Sequence, residues 1–229
     1  MPRTARAAAG GYCYHVLNRG NDRTPVFERE RDYEIFVELL GEASQRVPVR
    51  VLAYCLLPTH FHLVVWPGHD GDLGRWMQWL MTTQVRRYHE FYRGRGHVWQ
   101  GRYRSFPIEP GEHLLAVLRY VERNPARASL VPRPEEWPWC SLGARPAPPP
   151  WLAPGPTERP RDWLKRVNRP EADAELAPLR RSVERGTPYG APAWTQRTAA
   201  RLGLESTMRP RGRPRKVLPK GDSPAAVRS

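Results

Sequence analysis

The sequence predicts an α+β fold in which a small antiparallel sheet carries helices on one face, with one added helix. Stretches rich in β-forming residues alternate with stretches whose apolar residues recur at helical spacing, and two of the β-stretches are separated by only a short break. The chain has 229 residues and is 40% apolar, which is enough for one core of ordinary size. Most of its 26 prolines follow residue 106, so we expect the compact domain in the first part of the chain.

The domain begins with a predicted strand, helix and strand. Residues 12–17 (YCYHVL) are rich in β-forming side chains and precede a turn sequence, so they predict the first strand. Apolar side chains at helical spacing predict a helix over 31–46, which Pro48 ends. The run 49–57 (VRVLAYCLL) is strongly β-forming and predicts the second strand.

A second set of elements follows directly. After a break at Pro58, residues 60–66 (HFHLVVW) predict a third strand, antiparallel to the second. A long amphipathic helix is predicted next, with Asp72 as its N-cap and with its end before Gly94. Residues 97–108 are basic and predicted to be extended.

The last predicted element of the domain is a helix over 112–123, which Asn124 and Pro125 end. The order strand, helix, strand, strand, helix, strand, helix is that of the ferredoxin-like or RRM-like split βαβ arrangement with one added helix. Residues 126–145 are expected to wrap back over this domain, anchored by Trp137 and Trp139.

The remainder is predicted to be a mostly irregular, basic C-terminal extension. The chain then divides into a flexible basic N-terminus (1–11), the main domain (12–145), a proline-rich linker (146–160), a small helical extension (161–205) and a disordered basic tail (206–229).

The charge balance indicates the class of partner. The formal net charge is +14, and Lys and Arg supply most non-specific affinity for nucleic acid by neutralising phosphates. An acidic membrane surface is less favoured, and we expect no membrane association, because no apolar run is long enough to span a bilayer and no signal-peptide pattern opens the chain. Cys13, Cys55 and Cys140 lie far apart without C-x-x-C spacing, so they indicate reduced thiols in the cytoplasm.

His60 and His62 are the most informative pair of residues. They lie two apart on a predicted strand, so both imidazoles should point to the same side, with Phe61 opposite. Two imidazoles side by side on a rigid element are good ligands for a divalent cation. The alternative is two ordinary histidines on a polar strand face, although a polar face within a buried sheet needs partners.

Tyr120 is the residue that could give such a metal a reaction. It lies at the edge of the apolar stripe of the last helix, and Asn124 follows one turn later on the same face. One helix could therefore present a nucleophile and an oxygen ligand together. The alternative is that Tyr120 packs against the core and that Asn124 caps the helix.

Five segments match, in order, the short motifs of a known family. They are Tyr14-His15-Val16 with Asn18-Arg19-Gly20-Asn21, then Leu57-Pro58-Thr59-His60-Phe61-His62, then Trp99-Gln100-Gly101-Arg102-Tyr103-Arg104-Ser105, then Tyr120-Val121 with Asn124-Pro125 and Arg127-Ala128, and finally Trp137-Pro138-Trp139. On these motifs, which cover residues 12–143, the chain resembles the REP-associated tyrosine transposases. That family is a branch of the single-strand HUH transposases.

The resemblance implies a mechanism. A divalent metal, Mg²⁺ or Mn²⁺, would be held by His60 and His62 and would polarise the scissile phosphate of single-stranded DNA at hairpin-forming repeats. Tyr120 would attack, leaving a 5′-phosphotyrosine and a free 3′-hydroxyl, and Asn124 matches the family's third ligand. The covalent step stores the bond energy, so no nucleotide cofactor is needed. The protein is expected in the bacterial cytoplasm, on the nucleoid, as a monomer or homodimer.

Other residues are predicted to contact the DNA. Arg102, Arg104 and Arg119 are candidate phosphate contacts, and Tyr103 is either a base-stacking residue or a rival nucleophile. In the tail, the sequence 210–216 (PRGRPRK) resembles an AT-hook, and the expected DNA contacts there are Arg211, Arg213 and Arg215.

Two alternative functions are weighed against the active transposase. A domesticated DNA-binding protein could keep the fold with little catalysis. An RNA-binding module could share the sheet, but the expected strands lack the aromatic RNP pattern, and that function leaves His60, His62 and Tyr120 unexplained.

Overall fold

A four-stranded antiparallel sheet is the centre of the structure, a computed structural model that describes residues 8–143 and 148–209. The strands are β1 (Cys13–Arg19), β2 (Val49–Leu57), β3 (His60–Pro67) and β4 (Arg104–Ile108). Their order across the sheet is β2-β3-β1-β4, and every neighbouring pair is antiparallel. This is the ferredoxin-like order, so the predicted fold class is confirmed.

Helices cover both faces of this sheet, and two cores result. On one face lie α1 (Glu30–Arg46) and α2 (Asp72–Tyr92), packed over strand residues such as Tyr14 and Phe61. On the other face lies α3 (Glu112–Glu122), packed over the alternate residues of the same strands. α3 is the added helix, and it alone among the first three helices faces that side.

Asp72 is not the N-cap of α2, and that prediction was wrong. The cap is Gly71, whose φ of +82° is a backbone conformation that favours glycine, and Asp72 is the first helical residue. The Asp72 carboxylate is buried and accepts a hydrogen bond from the His69 backbone N–H at 2.8 Å. It therefore closes the turn that leads into the helix.

The fourth strand is shorter than predicted, because its continuous ladder with β1 covers only Arg104–Ile108. Before that ladder, an isolated bridge joins Trp99 to Gly20, and the Gln100 N–H donates to the Arg19 carbonyl at 2.9 Å. The Trp99 side chain enters the α1–α2 core, where its indole N–H donates to Gln84 Oε1 at 2.9 Å. Tyr103 is drawn into the same core. The basic stretch 97–103 is therefore a loop with inward-facing aromatic residues.

After a short helix, α4 (Asn124–Arg127), the chain returns over the domain and runs along the free edge of β2. The Leu56 N–H donates to the Trp139 carbonyl at 2.9 Å, and the Ser141 N–H donates to the Tyr54 carbonyl at 2.8 Å. The Trp137 indole donates to the Leu56 carbonyl at 2.8 Å. This segment covers a sheet edge that would otherwise expose unpaired backbone groups.

The predicted linker is held against the domain in its described part. The Ala153 N–H donates to the Val51 carbonyl, and the Arg159 side chain donates to the Leu52 carbonyl, both at 2.8 Å. Residues 148–160 of the predicted proline-rich linker therefore contact the main domain at the backbone of β2.

The extension contains four helices in its described part: α5 (Trp163–Asn168), α6 (Asp173–Arg185), α7 (Pro192–Leu202) and α8 (Glu205–Met208). Trp163, Val167, Leu176 and Leu179 are buried in the α3-side core. Within 8–143 and 148–209, no helix is long and apolar enough to cross a membrane.

Candidate active site

The two histidines of β3 lie on the α3 side of the sheet, and Phe61 lies on the other side, as strand alternation predicts. The two imidazole centroids are 5.1 Å apart. His62 is buried, whereas His60, at the first residue of the strand, is partly exposed. The pair therefore opens toward the end of the sheet where β3 begins.

One ring nitrogen of each imidazole already has a side-chain partner. His62 Nδ1 lies 2.9 Å from Nε2 of His15 on β1, and His60 Nδ1 lies 3.0 Å from the Thr59 hydroxyl oxygen. Hydrogen bonds at both Nδ1 atoms leave the two Nε2 atoms as the available ligand atoms. A hydrogen-bonded second nitrogen is the usual arrangement for histidines that bind metals.

His15 was not singled out from the sequence as a site residue. It is fully buried on β1, beside β3 and on the same face as His62. The only sequence signal for a role of His15 in the site is its position in the motif Tyr14-His15-Val16. The sequence does not show that the first strand lies beside the strand that carries His62.

Burial keeps the three imidazoles neutral. It lowers the pKa of His15 to about 3 and, together with the charge of Arg19, the pKa of His60 to about 4. Burial also holds the pKa of His62 well below its ordinary value, with smaller contributions from His15, His60 and Arg127. A neutral imidazole is the form that binds a metal ion.

Tyr120 lies directly against this histidine cluster. Its ring centroid is 5.9 Å from that of His62 and 6.2 Å from that of His15, both in edge-to-face orientation. Burial raises the pKa of its hydroxyl, and the charges of Arg127, Arg180 and Arg19 oppose that shift. The tyrosine and the histidines, predicted separately, are thus brought together.

Asn124 and Tyr120 are joined by a shared contact with Arg127. The Arg127 guanidinium lies 4.3 Å from the centroid of the Tyr120 ring and donates to Asn124 Oδ1 at 2.9 Å. It also forms an ion pair with Glu171, which precedes α6. The Asn124 Nδ2 atom is buried, with no hydrogen-bond partner among the described residues.

These residues fit a divalent metal with a small set of protein ligands. In the described part of the chain, no group of three or more His, Cys, Asp or Glu side chains is arranged to hold a metal ion. The candidate for a third ligand is Asn124 Oδ1, at the start of α4, directly after the helix that carries Tyr120. This oxygen accepts a hydrogen bond from Arg127, and the unpartnered atom of the amide is Nδ2. Few protein ligands leave positions for substrate phosphate oxygens, as Mg²⁺ sites commonly do.

The predicted DNA contacts divide into two groups. Arg102 and Arg104 are exposed and line a cleft with Tyr120 and Arg19. Arg119 instead donates to the Arg169 carbonyl at 2.7 Å and lies 3.5 Å from a Glu175 oxygen. Its guanidinium is therefore bound to the C-terminal extension, and the predicted phosphate contact is not supported.

Tyr103 does not have the exposure that base stacking requires. Its side chain is only 9% exposed and belongs to the α1–α2 core, so that prediction and its role as a rival nucleophile lose their support. Arg211, Arg213 and Arg215 of the AT-hook-like sequence lie outside the described residues.

The chain resembles known proteins over its first part. The family model for IS200-like transposases matches residues 9–124. A protein of Haemophilus influenzae named as a REP-associated tyrosine transposase is 26% identical over 132 residues, which span 53% of this chain and 74% of the relative. A solved structure of a REP-associated tyrosine transposase bound to a REP hairpin superposes with a TM-score of 0.50 at 18% identity. That superposition covers 62% of this chain and 82% of the other and supports the shared fold.

Proposed function

Because the chain belongs to the family of IS200-like transposases, we propose that it cleaves and rejoins single-stranded DNA through a tyrosine–DNA intermediate. The observation that carries the proposal is the contact of the Tyr120 ring with His62, on the face that His60 shares. A tyrosine oxygen can form a covalent intermediate, and two neutral imidazoles beside it can hold the metal ion that polarises the phosphate. Hairpin-forming repeats are the proposed substrate, and the bacterial cytoplasm is the proposed location.

In the proposed reaction, the Tyr120 oxygen forms a bond to the scissile phosphorus after losing its proton. The bond from phosphorus to the 3′-oxygen breaks, and that oxygen takes up a proton and leaves as a 3′-hydroxyl. The result is a 5′-phosphotyrosine. Attack of a 3′-hydroxyl on this linkage reverses the exchange, so rejoining consumes no nucleotide.

His60 and His62 would hold a divalent metal, Mg²⁺ or Mn²⁺, with Asn124 Oδ1 as the third protein ligand. When bound, this ion supplies Lewis-acid polarisation of the phosphate. The Arg127 guanidinium packs over one face of the Tyr120 ring and holds the ring in position. Its positive charge favours the phenolate form of Tyr120. The arginines that line the cleft with Tyr120 would bind backbone phosphates of the strand.

The test uses purified protein, Mn²⁺ and a labelled single strand that carries a hairpin repeat. Wild type is expected to form an adduct that survives denaturation, and Tyr120→Phe is expected to lose it. Tyr103→Phe is the matched control, because that tyrosine is buried in the other core, and it should still form the adduct. If Tyr103→Phe lost the adduct and Tyr120→Phe kept it, the nucleophile would be Tyr103 and the proposal would be wrong.

The histidines are tested in the same assay. His60→Ala and His62→Ala should abolish adduct formation while most affinity for the strand remains, since phosphate contacts supply that affinity. A wild-type protein that binds the strand but never forms an adduct would favour the domesticated DNA-binding protein.

A further inference from the structure

A cleft beside Tyr120 has one wall that comes from the C-terminal extension. Its volume is about 430 Å³. The end of β1 and the start of β4, with the loop before it, form one side, and α6 forms the other. Arg180, Val183 and Glu184 line that second side, at the i, i+3 and i+4 spacing of one helix face.

Positive charge lines both walls of this cleft. Arg19, Arg102 and Arg104 lie on the sheet side, Arg180 lies on the α6 side, and Glu184 is the acidic residue in the lining. Arg180 and Tyr120 line the same cleft, so the guanidinium and the proposed nucleophile face one space. A basic cleft that ends at a nucleophile for phosphodiesters is suited to a DNA backbone.

The position of α6 is fixed by packing and by ion pairs. Leu176 and Leu179 are buried in the α3-side core. Arg119 on α3 faces Glu175, and Glu171 pairs with Arg127 beside Tyr120. The wall is therefore held against the helix that carries the nucleophile, although α6 lies beyond the residues 9–124 that the family model matches.

Arg180 can exchange its present partner at little cost. It lies 3.3 Å from Asp173, whose side chain is 93% exposed. Ion pairs this exposed contribute little to stability, so a phosphate can replace the carboxylate.

We propose that α6 forms a phosphate-binding wall of the active-site cleft and that Arg180 binds a backbone phosphate of the single strand beside the bond that Tyr120 attacks. This inference rests on the proposed function for the identity of the strand. It assigns to the extension a part of substrate binding that the family-matched region does not contain.

The test compares Arg180→Gln with Arg181→Gln in a Tyr120→Phe background. Both variants remove one positive charge from an exposed arginine of the same helix. Arg181 is the matched control because it lines a different pocket and not the cleft. Binding of a fluorescent oligothymidine is measured by anisotropy over a series of salt concentrations. Arg180→Gln should weaken binding about threefold or more and reduce the salt slope by about one, whereas Arg181→Gln should change neither.

Three results would overturn the inference. Equal losses in the two variants, or no loss in either, would mean that Arg180 acts only through net charge or not at all. Displacement of the oligothymidine by inorganic phosphate at equal phosphate concentration would mean that the cleft binds small anions instead of a strand. Since the binding assay needs no chemistry, its outcome is separate from the adduct assay that tests the proposed function.

Discussion

His15 shows how a residue outside the expected ligand set can control a ligand. If His62 binds a metal through Nε2, its Nδ1 carries the proton and donates to His15 Nε2, 2.9 Å away. His15 then has its own proton on Nδ1, which is buried with no hydrogen-bond partner among the described residues. The hydrogen bond therefore fixes both the tautomer and the ring orientation of His62.

His15→Phe should accordingly weaken Mn²⁺ binding about tenfold or more, because the ligand loses the group that orients it. Electron paramagnetic resonance of free Mn²⁺ measures the affinity without any cleavage. His15→Gln, which keeps a hydrogen-bonding group, should recover part of it. Unchanged affinity in His15→Phe would show that His15 is a packing residue.

At this scale, sequence reasoning identified residues whose signal is local. The spacing of His60 and His62 is a property of one strand, and both rings do lie on the face that Tyr120 contacts through His62. The one-turn spacing of Tyr120 and Asn124 is also local, although α3 ends between them and Asn124 begins α4. The contacts of a second set of residues depend on which elements become neighbours in the fold; these residues are His15, Arg119 and Tyr103. Their surroundings could not be predicted because neither the strand order nor the docking of the extension is encoded in local spacing.

At the scale of elements, Glu122 at the end of α3 joins three later segments. Its buried carboxylate accepts hydrogen bonds from the Ser141 hydroxyl at 2.8 Å, from the Trp163 indole at 2.7 Å and from Arg159 at 3.1 Å. The edge segment, the 148–160 stretch and α5 are thus attached to the same helix end. A buried carboxylate is tolerated here because each oxygen is paired.

Glu122→Gln should lower the free energy of unfolding by about 1–3 kcal/mol, since an amide cannot satisfy three donors and Arg159 loses its counter-charge. Urea unfolding followed by tryptophan fluorescence measures the change. Glu136→Gln is the control, because this carboxylate lies near the same segment but is exposed. Its contact with Arg133 is long, at 4.0 Å, so its loss should change stability little. Equal effects in the two variants would contradict the role of Glu122.

Element boundaries were predictable where the chain itself marks them. The second strand is found at Val49–Leu57, as predicted between Pro48 and Pro58. The fourth strand was predicted too long, because pairing with β1 limits it and the pattern of extended residues cannot reveal a partner. The described extension docks through isolated apolar residues such as Trp163 and Leu179, which have no strong periodicity.

At the scale of the whole molecule, buried acidic groups set the response to alkaline pH. Burial raises the pKa of the Cys13 thiol from 9.0 to about 12 and that of the Tyr33 hydroxyl from 10.0 to about 12. At a pH below their ordinary pKa values, both groups are protonated in the native and in the unfolded protein, so the free energy of unfolding does not change. Above them, the unfolded chain ionises while the native protein does not, so stability is lost as pH rises toward about 12.

We expect Cys13 alone to lower the free energy of unfolding by about 1.4 kcal/mol at one pH unit above 9, the equivalent of one pKa unit. Urea titrations at neutral pH and at roughly pH 10 measure the difference. Cys13→Ala should show a smaller difference than wild type. An identical pH dependence in the two proteins would rule out the thiol as a contributor.

The central position of β1 has a consequence for the newly made chain. β1 pairs with β3 on one side and with β4 on the other, and His15 meets His62 and Tyr120 only when these distant segments have come together. Folding is slower where contacts join residues far apart in the sequence, because the long loops between them must close first. A chain that ends before residue 120 can contain the histidines but not the tyrosine, so a truncated product cannot assemble this cluster.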